Sequence, residues 1–405
     1  QRARHCFTVC GGEVMATPKL RFKEFDNQWD KTTINDQAQT VTSGSRDWAQ
    51  YYSESGDKFI RMTNLVRDGI YLDLSDLKFV QLPKDSNEGK RTSLKFGDIL
   101  ISITAELGKL GWIPEGLGTA YINQHTALVR MKDSIDSKFV AYSLSTEKYN
   151  NKLNSLNDSG AKAGLNLGTI RNFELIVPPK EEQTKIASFL SNVDEKISQL
   201  TQKHELLSQY KQGMMQKLFS QQIRFKADDG SEFGEWENIS VKEIFDVTRG
   251  QVLAVSNTVS VADTDYKYPV FSSQTKQKGL MGFYKKYLFE DALTWTTDGA
   301  NAGDVNFRKG KFYCTNVCGV LLSKKGYANL CIAEILNKVT HKYVSYVGNP
   351  KLMNNVMSEI PITIPSNLEE QTKIANFLSS IDQKIEVVAQ QIEQAKQWKK
   401  GLLQQ

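Results

Sequence analysis

Several short stretches of the sequence combine small residues with hydroxyl, amide, aromatic and basic side chains. Such side chains hydrogen bond to phosphates and to the edges of bases, so the pattern predicts loops that contact nucleic acid. The alternative stays open for each stretch, because turns rich in serine, glycine and asparagine are commonly turns and nothing more. The candidate residues are Ser43, Ser45, Arg46, Trp48, Tyr51, Arg61, Asn64, Lys90, Arg91, Thr92, Asn123 and Gln124 in the first half of the chain, and Arg249, Ser272, Ser273, Gln274, Thr275, Lys276, Arg308, Lys309 and Lys311 in the second.

Residues that would assemble a catalytic or metal site are scarce. The chain has four histidines. Cys6 and Cys10, like Cys314 and Cys318, form a Cys-x-x-x-Cys pair. Neither pair has a second knuckle at the standard spacing of a zinc site, and Cys6 lies in the N-terminal extension, so Cys314 and Cys318 are expected to be small strand residues. The glycine-rich stretch 299–304 lacks the Lys-Ser/Thr of a phosphate-binding loop, and Asn-Pro at 349–350 is not followed by the second proline and aromatic residue of an amino-methyltransferase. The sequence therefore predicts no metal site and no catalysis by this chain alone.

A long internal repeat determines where the candidate loops lie along the chain. The run Glu-Glu-Gln-Thr-Lys-Ile-Ala occurs at 181–187 and again at 369–375, a period of 188 residues, and Phe-Leu-Ser recurs at 189–191 and 377–379. This period is far longer than the roughly 20–50 residues of solenoid or propeller repeats. It predicts a duplicated module, in which each of two variable segments is followed by the same helix.

Each copy of the repeat begins a long segment with apolar residues at alternating steps of three and four. This spacing is typical of a coiled coil, and each segment predicts a helix of roughly 35–40 residues that pairs antiparallel with the other copy. The alternative is that each helix packs on its own domain. The expected seam residues are Ile186, Leu190, Val193, Ile197, Leu200 and Leu207 in the first copy and Ile374, Leu378, Ile381, Ile385, Val388 and Ile392 in the second.

The segments between the helices are rich in glycine, asparagine, serine and aromatic residues, and they contain short strand-like runs. They predict an α+β fold class: two related α+β domains separated by two long helices that pair as an antiparallel coiled coil. The expected divisions are 1–18, an extension that is disordered or was added in cloning; 19–180, the first domain; 181–223, the first helical spacer; 224–368, the second domain; and 369–405, the second spacer, whose C-terminus we expect to be trimmed.

The composition narrows the class of protein. A net charge of +5 and a pI near 8.7 permit a polyanionic partner without requiring one. No apolar run approaches the roughly 18–20 residues that span a bilayer, so no membrane partner is expected. The five cysteines are an odd number and form no dense framework, which is typical of a protein from the reducing cytoplasm.

The duplicated helices and the variable segments between them resemble the specificity subunit of type I restriction–modification systems. Both Glu-Glu-Gln-x-Lys-Ile-Ala runs are close to the start of the repeated helical region in that family, and the resemblance covers the chain from about Lys19 to Gln405. Four stretches, at 42–49, 97–105, 268–275 and 295–300, also look like recurring target-recognition domains of the family.

The resemblance implies a non-catalytic subunit that binds double-stranded DNA with a bipartite target, one half-site per target-recognition domain. It also implies two adenine-N6 methyltransferase subunits as partners and, in a complete restriction enzyme, two restriction subunits. S-adenosylmethionine is then expected on the methyltransferase, and no cofactor in this chain. Two alternatives remain: a coiled-coil scaffold whose variable domains bind proteins, which would lack steep salt dependence, and a nuclease or methyltransferase that acts alone.

Overall fold

The computed structural model describes residues 18, 20–83, 89–156, 164–273, 276–323 and 325–404. The expectation for the extension at 1–18 therefore lies outside the described residues, apart from Pro18. Two compact units divide the chain, and each contains the end of a long helix from the other half: the first unit is Gln1–Gln199 with Gln391–Gln405, and the second is Leu200–Gln390. Within the described ranges, no helix is long and apolar enough to cross a membrane.

The first unit is built from three small sheets and four short helices. Its elements are β1 (Asp30–Thr33), α1 (Ile34–Gln37), β2 (Ala38–Ser43), β3 (Tyr52–Ser53), β4 (Asp57–Ile60), β5 (Lys78–Val80), β6 (Ile99–Ser102), β7 (Leu110–Trp112), β8 (Ala120–Ile122), β9 (Thr126–Met131), α2 (Ser137–Ser145), α3 (Glu147–Ser155), α4 (Leu167–Arg171), β10 (Glu174–Val177) and the beginning of α5 (Lys180–Phe219). The strand orders are β2-β9-β6-β7, β3-β5-β4-β8 and β1-β10.

Strand β6 is buried on both faces, which explains its continuous apolar run. Ile99 and Ile101 point into the main core together with Phe139 and Val140 of α2. Leu100 points to the opposite face and packs against Ile113 in a second cluster. The first domain therefore has apolar packing on either side of its central sheet.

The second unit has the same kind of architecture with longer strands. Its elements are β11 (Trp236–Ser240), α6 (Val241–Ile244), β12 (Asp246–Arg249), β13 (Tyr268–Phe271), β14 (Leu280–Tyr284), β15 (Phe289–Thr296), β16 (Val305–Cys314), β17 (Cys318–Leu322), α7 (Leu330–Val339), α8 (Asn354–Glu359), β18 (Pro361–Pro365) and the beginning of α9 (Leu368–Leu403). Six strands form one sheet in the order β12-β17-β15-β16-β13-β14, and β11 pairs with β18. Cys314 and Cys318 are buried strand residues, as expected.

The two long helices of the coiled coil are α5, with 40 residues, and α9, with 36. Every expected seam residue is buried or half-buried. In the first unit, Phe189 of α5 packs edge-on against Trp398 of α9, with 5.7 Å between the ring centroids. In the second unit, Leu218 near the end of α5 shares a core with Ile374 near the start of α9. The α+β fold class with antiparallel helices is confirmed.

The start of each long helix also packs on its own domain, which was the alternative to pairing with the other helix. Leu190 belongs to the core of the first domain, beside α2. Ile374 and Leu378 belong to the core of the second domain, beside α7. The first turns of each helix therefore pack on its own domain. The C-terminal end of the other long helix packs against the same turns.

Candidate nucleic-acid interface

In the first domain, four candidate loops meet at one edge, which we call the first rim (residues 43–46, 61–64, 89–92 and 123–125). Strands β4 and β8 run parallel with Ile60 beside Ile122, so the loops that follow them leave the sheet side by side. The loop after β2 joins them, because Ser45 and Asn123 form a parallel bridge. Gly44 is required there, since a Cβ would lie 2.1 Å from the Ile122 carbonyl oxygen.

Arg91 links the third loop to the first. Its Nη2 donates to the Ser43 carbonyl oxygen at 3.2 Å, and its Nη1 donates to the Thr42 hydroxyl. The side chains of Arg46, Lys90 and Arg91 are exposed on the first rim, and those of Ser43, Ser45, Asn123 and Gln124 are half-buried there. The structure therefore brings these predicted residues together, as a shared surface for DNA would require. Tyr51 lies outside the rim, half-buried against Trp48.

Three predicted residues of the first domain lie in its interior. Trp48 is 3% exposed and packs between Phe59 and Tyr121, with ring centroids 4.8 and 5.3 Å away. Thr92 is 0% exposed. The Thr92 hydroxyl donates to the Gly89 carbonyl oxygen of its own loop at 3.4 Å. Both side chains therefore support the loops and do not present a polar group to solvent.

Asn64, the third of these residues, holds a turn closed. It is 1% exposed, accepts a hydrogen bond from the Arg61 backbone N–H at 2.9 Å and donates to the Asp73 carbonyl oxygen at 2.8 Å. Arg61 is also engaged, because its Nη2 lies 2.6 Å from the Asp76 carboxylate. A contact between Arg61 and DNA would therefore exchange one anionic partner for another.

The second domain repeats this edge, which we call the second rim (residues 249–251, 271–273 and 314–316). Strands β13 and β16 run parallel with Phe271 beside Cys314, as β4 and β8 do in the first domain. Gly250 packs on Cys314, where a Cβ would lie 2.0 Å from the carbonyl oxygen. The Ser272 and Thr315 hydroxyls are 3.1 Å apart.

The predicted residues of the second domain divide into four groups. Arg249 is exposed on the second rim, and Ser272 and Ser273 are half-buried there. Gln274, Thr275 and the side chain of Lys276 lie outside the described residues. Lys309 and Lys311 are exposed on a bulged stretch of β16, where Lys311 lies opposite Glu290 in the strand register. Arg308 is 9% exposed and lies inside the sheet.

A repeated ion pair joins each domain to its own long helix, and it was not among the predictions from the sequence. Arg21 binds Glu182 through two hydrogen bonds of 2.6 and 2.7 Å, and the carboxylate is fully buried. Arg224 binds Glu370 in the same way, at 3.0 and 2.8 Å. The sequence feature that could have predicted the ion pairs is their repetition. Both arginines begin an Arg-Phe-Lys run, and both glutamates are the second of the repeated Glu-Glu pair.

Comparison with known proteins agrees with this architecture. The family model of the type I restriction modification DNA specificity domain matches residues 27–209 and again 234–397. A putative type I specificity subunit of Mycoplasma pneumoniae is 30% identical over 235 residues, which are 56% of this chain and 82% of that protein. The specificity subunit of the type I restriction enzyme MjaVIII from Methanocaldococcus jannaschii is 27% identical over 268 residues, which are 57% of this chain and 60% of that protein.

Among solved structures, the crystal structure of a type I restriction–modification S subunit from M. genitalium superposes with a TM-score of 0.67. It covers 96% of this chain and 98% of its own, at 17% sequence identity, so the likeness is one of fold. The two matches of the family model fall on the two halves of the internal repeat, and together they span most of the sequence. The chain is therefore a member of the type I restriction–modification DNA specificity family.

Proposed function

We propose that this chain gives a type I restriction–modification complex its sequence specificity by reading a bipartite DNA site, one half-site per domain. The observation that carries the proposal is that the two rims share one architecture and differ in their side chains. Gly44 and Gly250 occupy the same place, each against the end of a parallel strand. The residues just before them are Ser43 and Arg249, which offer different hydrogen-bonding groups to a base.

The two copies of the repeated helix offer matching docking surfaces for two copies of one partner. Glu181 and Thr184 are exposed at the start of α5, and Glu369 and Thr372 are exposed at the same positions of α9. Identical exposed residues on two identical helical turns present the same surface twice. This duplication supports the docking of two adenine-N6 methyltransferase subunits and, through them, of restriction subunits.

The chemistry then belongs to the partner. We place S-adenosylmethionine on the methyltransferase and assign this chain no catalytic group, because its candidate residues are hydroxyl, amide and basic side chains suited to recognition. The specificity subunit would act in the cytoplasm, where the host DNA lies. Phosphate contacts by the exposed arginines and lysines of the two rims would make the affinity fall steeply with salt.

The decisive experiment is a long-read methylome of a methylation-free host that expresses this chain with its neighbouring methyltransferase gene. We expect a new N6-methyladenine motif with two short blocks of specified bases around a fixed gap. A complex that assembles but methylates no such motif would contradict the proposal. Salt-independent binding of a protein by the variable domains would favour the scaffold instead.

A further inference from the structure

The second domain has a polar pocket at a place where the first domain has apolar packing. Thr42 and Thr248 each lie two residues before a rim glycine; Thr42 lies opposite Leu128, and Thr248 lies opposite Val320. Leu128 in turn lies opposite Leu100, and Val320 lies opposite Thr294, so Thr294 corresponds to Leu100. On the facing strands, Leu100 lies opposite Gly111 and Thr294 lies opposite Asn306. By the same register, two residues further along the facing strand, Arg308 corresponds to Ile113. A leucine–isoleucine contact has thus been replaced by a hydroxyl and a guanidinium.

Arg308 is held rigidly in this position. Its Nε donates to the Thr294 hydroxyl at 3.0 Å, its Nη2 donates to the Lys278 carbonyl oxygen at 2.7 Å, and the guanidinium carbon lies 3.7 Å from the centre of the Phe271 ring. Burial lowers the pKa of Arg308 to about 10, so the group is still charged at neutral pH. A charge buried in this way is costly unless an acceptor or an anion accompanies it.

That anion is missing from the described part of the chain. No carboxylate there forms an ion pair with Arg308, and its Nη1 has no hydrogen-bond partner among the same residues. A hydroxyl, a carbonyl oxygen and an aromatic face accompany the charge, and the thiols of Cys314 and Cys318 also interact with it electrostatically. The guanidinium keeps donors to spare for a further acceptor.

A cavity of about 190 Å³ adjoins this guanidinium, and we call it the Arg308 pocket (Ser272, Lys278, Thr294, Asn306 and Arg308, with Asp304 also on the wall). Asp304 is directed in part toward His341, whose Nε2 lies 3.3 Å from its carboxylate. Ser272 connects the pocket to the second rim through its contact with Thr315. The pocket therefore borders the second rim, the surface that we assign to DNA.

The backbone beside the pocket is strained. Gln277 and Lys278 both have a left-handed conformation, with φ of 50° and 51°. Such a conformation is unfavourable for residues with a Cβ and persists where the surroundings fix it, often at binding sites. The hydrogen bond from Arg308 to the Lys278 carbonyl oxygen is one contact that fixes it.

We propose that the Arg308 pocket receives a hydrogen-bond acceptor of the DNA duplex, with Arg308 as its donor. The acceptor is a phosphate oxygen or the O6/N7 edge of a guanine, the two groups of a duplex that a guanidinium binds best. Arg308 is then a determinant of recognition of the second half-site. This inference rests on the proposed function and assigns one residue and one ligand class to it.

The test is the double variant Thr294→Leu with Arg308→Ile, which restores the pair found at Leu100 and Ile113 in the first domain. The apolar pair should keep the sheet packed, and thermal unfolding of the variant checks that it does. The full chain is assembled with its methyltransferase subunits, and its affinity for the DNA motif found for the wild-type complex is measured. We expect a loss of at least about fivefold, since one well-made guanidinium contact contributes that much or more.

The way in which DNA affinity is lost distinguishes a phosphate acceptor from a guanine acceptor. With a phosphate, affinity falls equally for all sequences at the second half-site, and the slope of log affinity against log salt falls by about 1. With a guanine, the loss is confined to sequences that carry it, and methylation becomes relaxed at that one position. Either pattern supports the proposal.

Unchanged affinity, salt slope and motif in the folded double variant would overturn the proposal and leave Arg308 as a brace for the turn at 277–279. Arg308→Gln provides the same comparison if the double variant does not fold. Lys242→Gln is the control for lost charge, because Lys242 is exposed and pairs with Glu359 at 2.6 Å; its affinity should stay within about twofold of wild type. Failure of the wild-type complex to methylate a bipartite motif would instead refute the proposed function.

Discussion

The Lys399 ammonium lies 2.5 Å from the Asp194 carboxylate, and the same pair recurs one repeat period away as Lys211 and Asp382, at 2.8 Å. In each unit the lysine comes from the far end of one long helix and the aspartate from the near end of the other. Tyr142 also donates to Asp194, at 2.7 Å, and burial raises the pKa of its hydroxyl, which keeps the proton on it. The repeat therefore places the same lysine–aspartate ion pair between the two long helices twice, once in each unit.

Replacing Lys399 with methionine should destabilise the first unit. The Asp194 carboxylate would keep Tyr142 as its donor but lose its cation while remaining largely buried. We expect a loss of about 1–3 kcal/mol in the free energy of unfolding, measured by urea titration. Lys211→Met should cost at least as much in the second unit, because Lys211 also pairs with Glu334 at 3.2 Å.

Lys396→Met is the matched control for Lys399→Met, because Lys396 is exposed on the same helix. It should change stability by no more than about 0.5 kcal/mol. Equal effects of the two substitutions would show that the ion pair contributes nothing beyond the loss of a surface charge.

The helices could be predicted from the sequence because their signal is periodic and repeated. Steps of three and four place Ile186 and Leu190 on one face, whatever that face packs against. The second copy then supplies the complementary surface, so the antiparallel pairing follows from the duplication. The α+β class followed similarly from short strand-like runs between two long helical ones.

The side-chain roles within the loops could not be predicted in the same way. Arg21 and Glu182 are 161 residues apart, and no local pattern relates them. Arg308 stands before Lys309, Gly310 and Lys311, a run that suggests an exposed basic loop, yet the strand it occupies turns it into the sheet. Whether a polar residue faces solvent depends on strand register, which distant pairings determine.

Ile197→Asp should impair either folding or assembly with the partner subunits. Ile197 lies on the helix seam between Val193 and Leu200, both of which are less than 9% exposed. A carboxylate there would lose hydration without gaining a cation, at a cost of several kcal/mol. Thermal unfolding and size-exclusion chromatography of the complex measure the two effects.

Ser198→Asp introduces the same charge one residue away, at an exposed position of the same helix. It should leave both the unfolding temperature and the complex unchanged. A normally assembled, equally stable Ile197→Asp complex would show that the seam tolerates a charge and is not closed at this point.

One heptad added to both long helices should widen the gap between the half-sites without changing either half. The insertions follow Tyr210 in α5 and Gln383 in α9, next to the Lys211–Asp382 pair. Seven helical residues add about 10 Å, which is roughly three base pairs at 3.4 Å each. The methylome should show the original blocks at the larger spacing.

A heptad in α5 alone provides the contrast, because it displaces the seam of one helix past the other by two turns. That variant should assemble poorly. Altered letters within either half-site of the doubly extended chain would contradict the assignment of the helices as spacers.

Removal of two basic side chains from the first rim should affect only the first half-site. In Lys90→Ala with Arg91→Ala, both exposed cations of this loop are lost, together with the hydrogen bond from Arg91 to the Ser43 carbonyl oxygen. We expect DNA affinity to fall by about 1–3 kcal/mol or the first block of the motif to relax, because each charge-assisted contact contributes on that scale.

Lys309→Ala with Lys311→Ala is the matched variant in the second domain, where any effect should appear in the second block. Because each domain carries its own rim on its own sheet, a change of the first block by the second pair would argue against one half-site per domain.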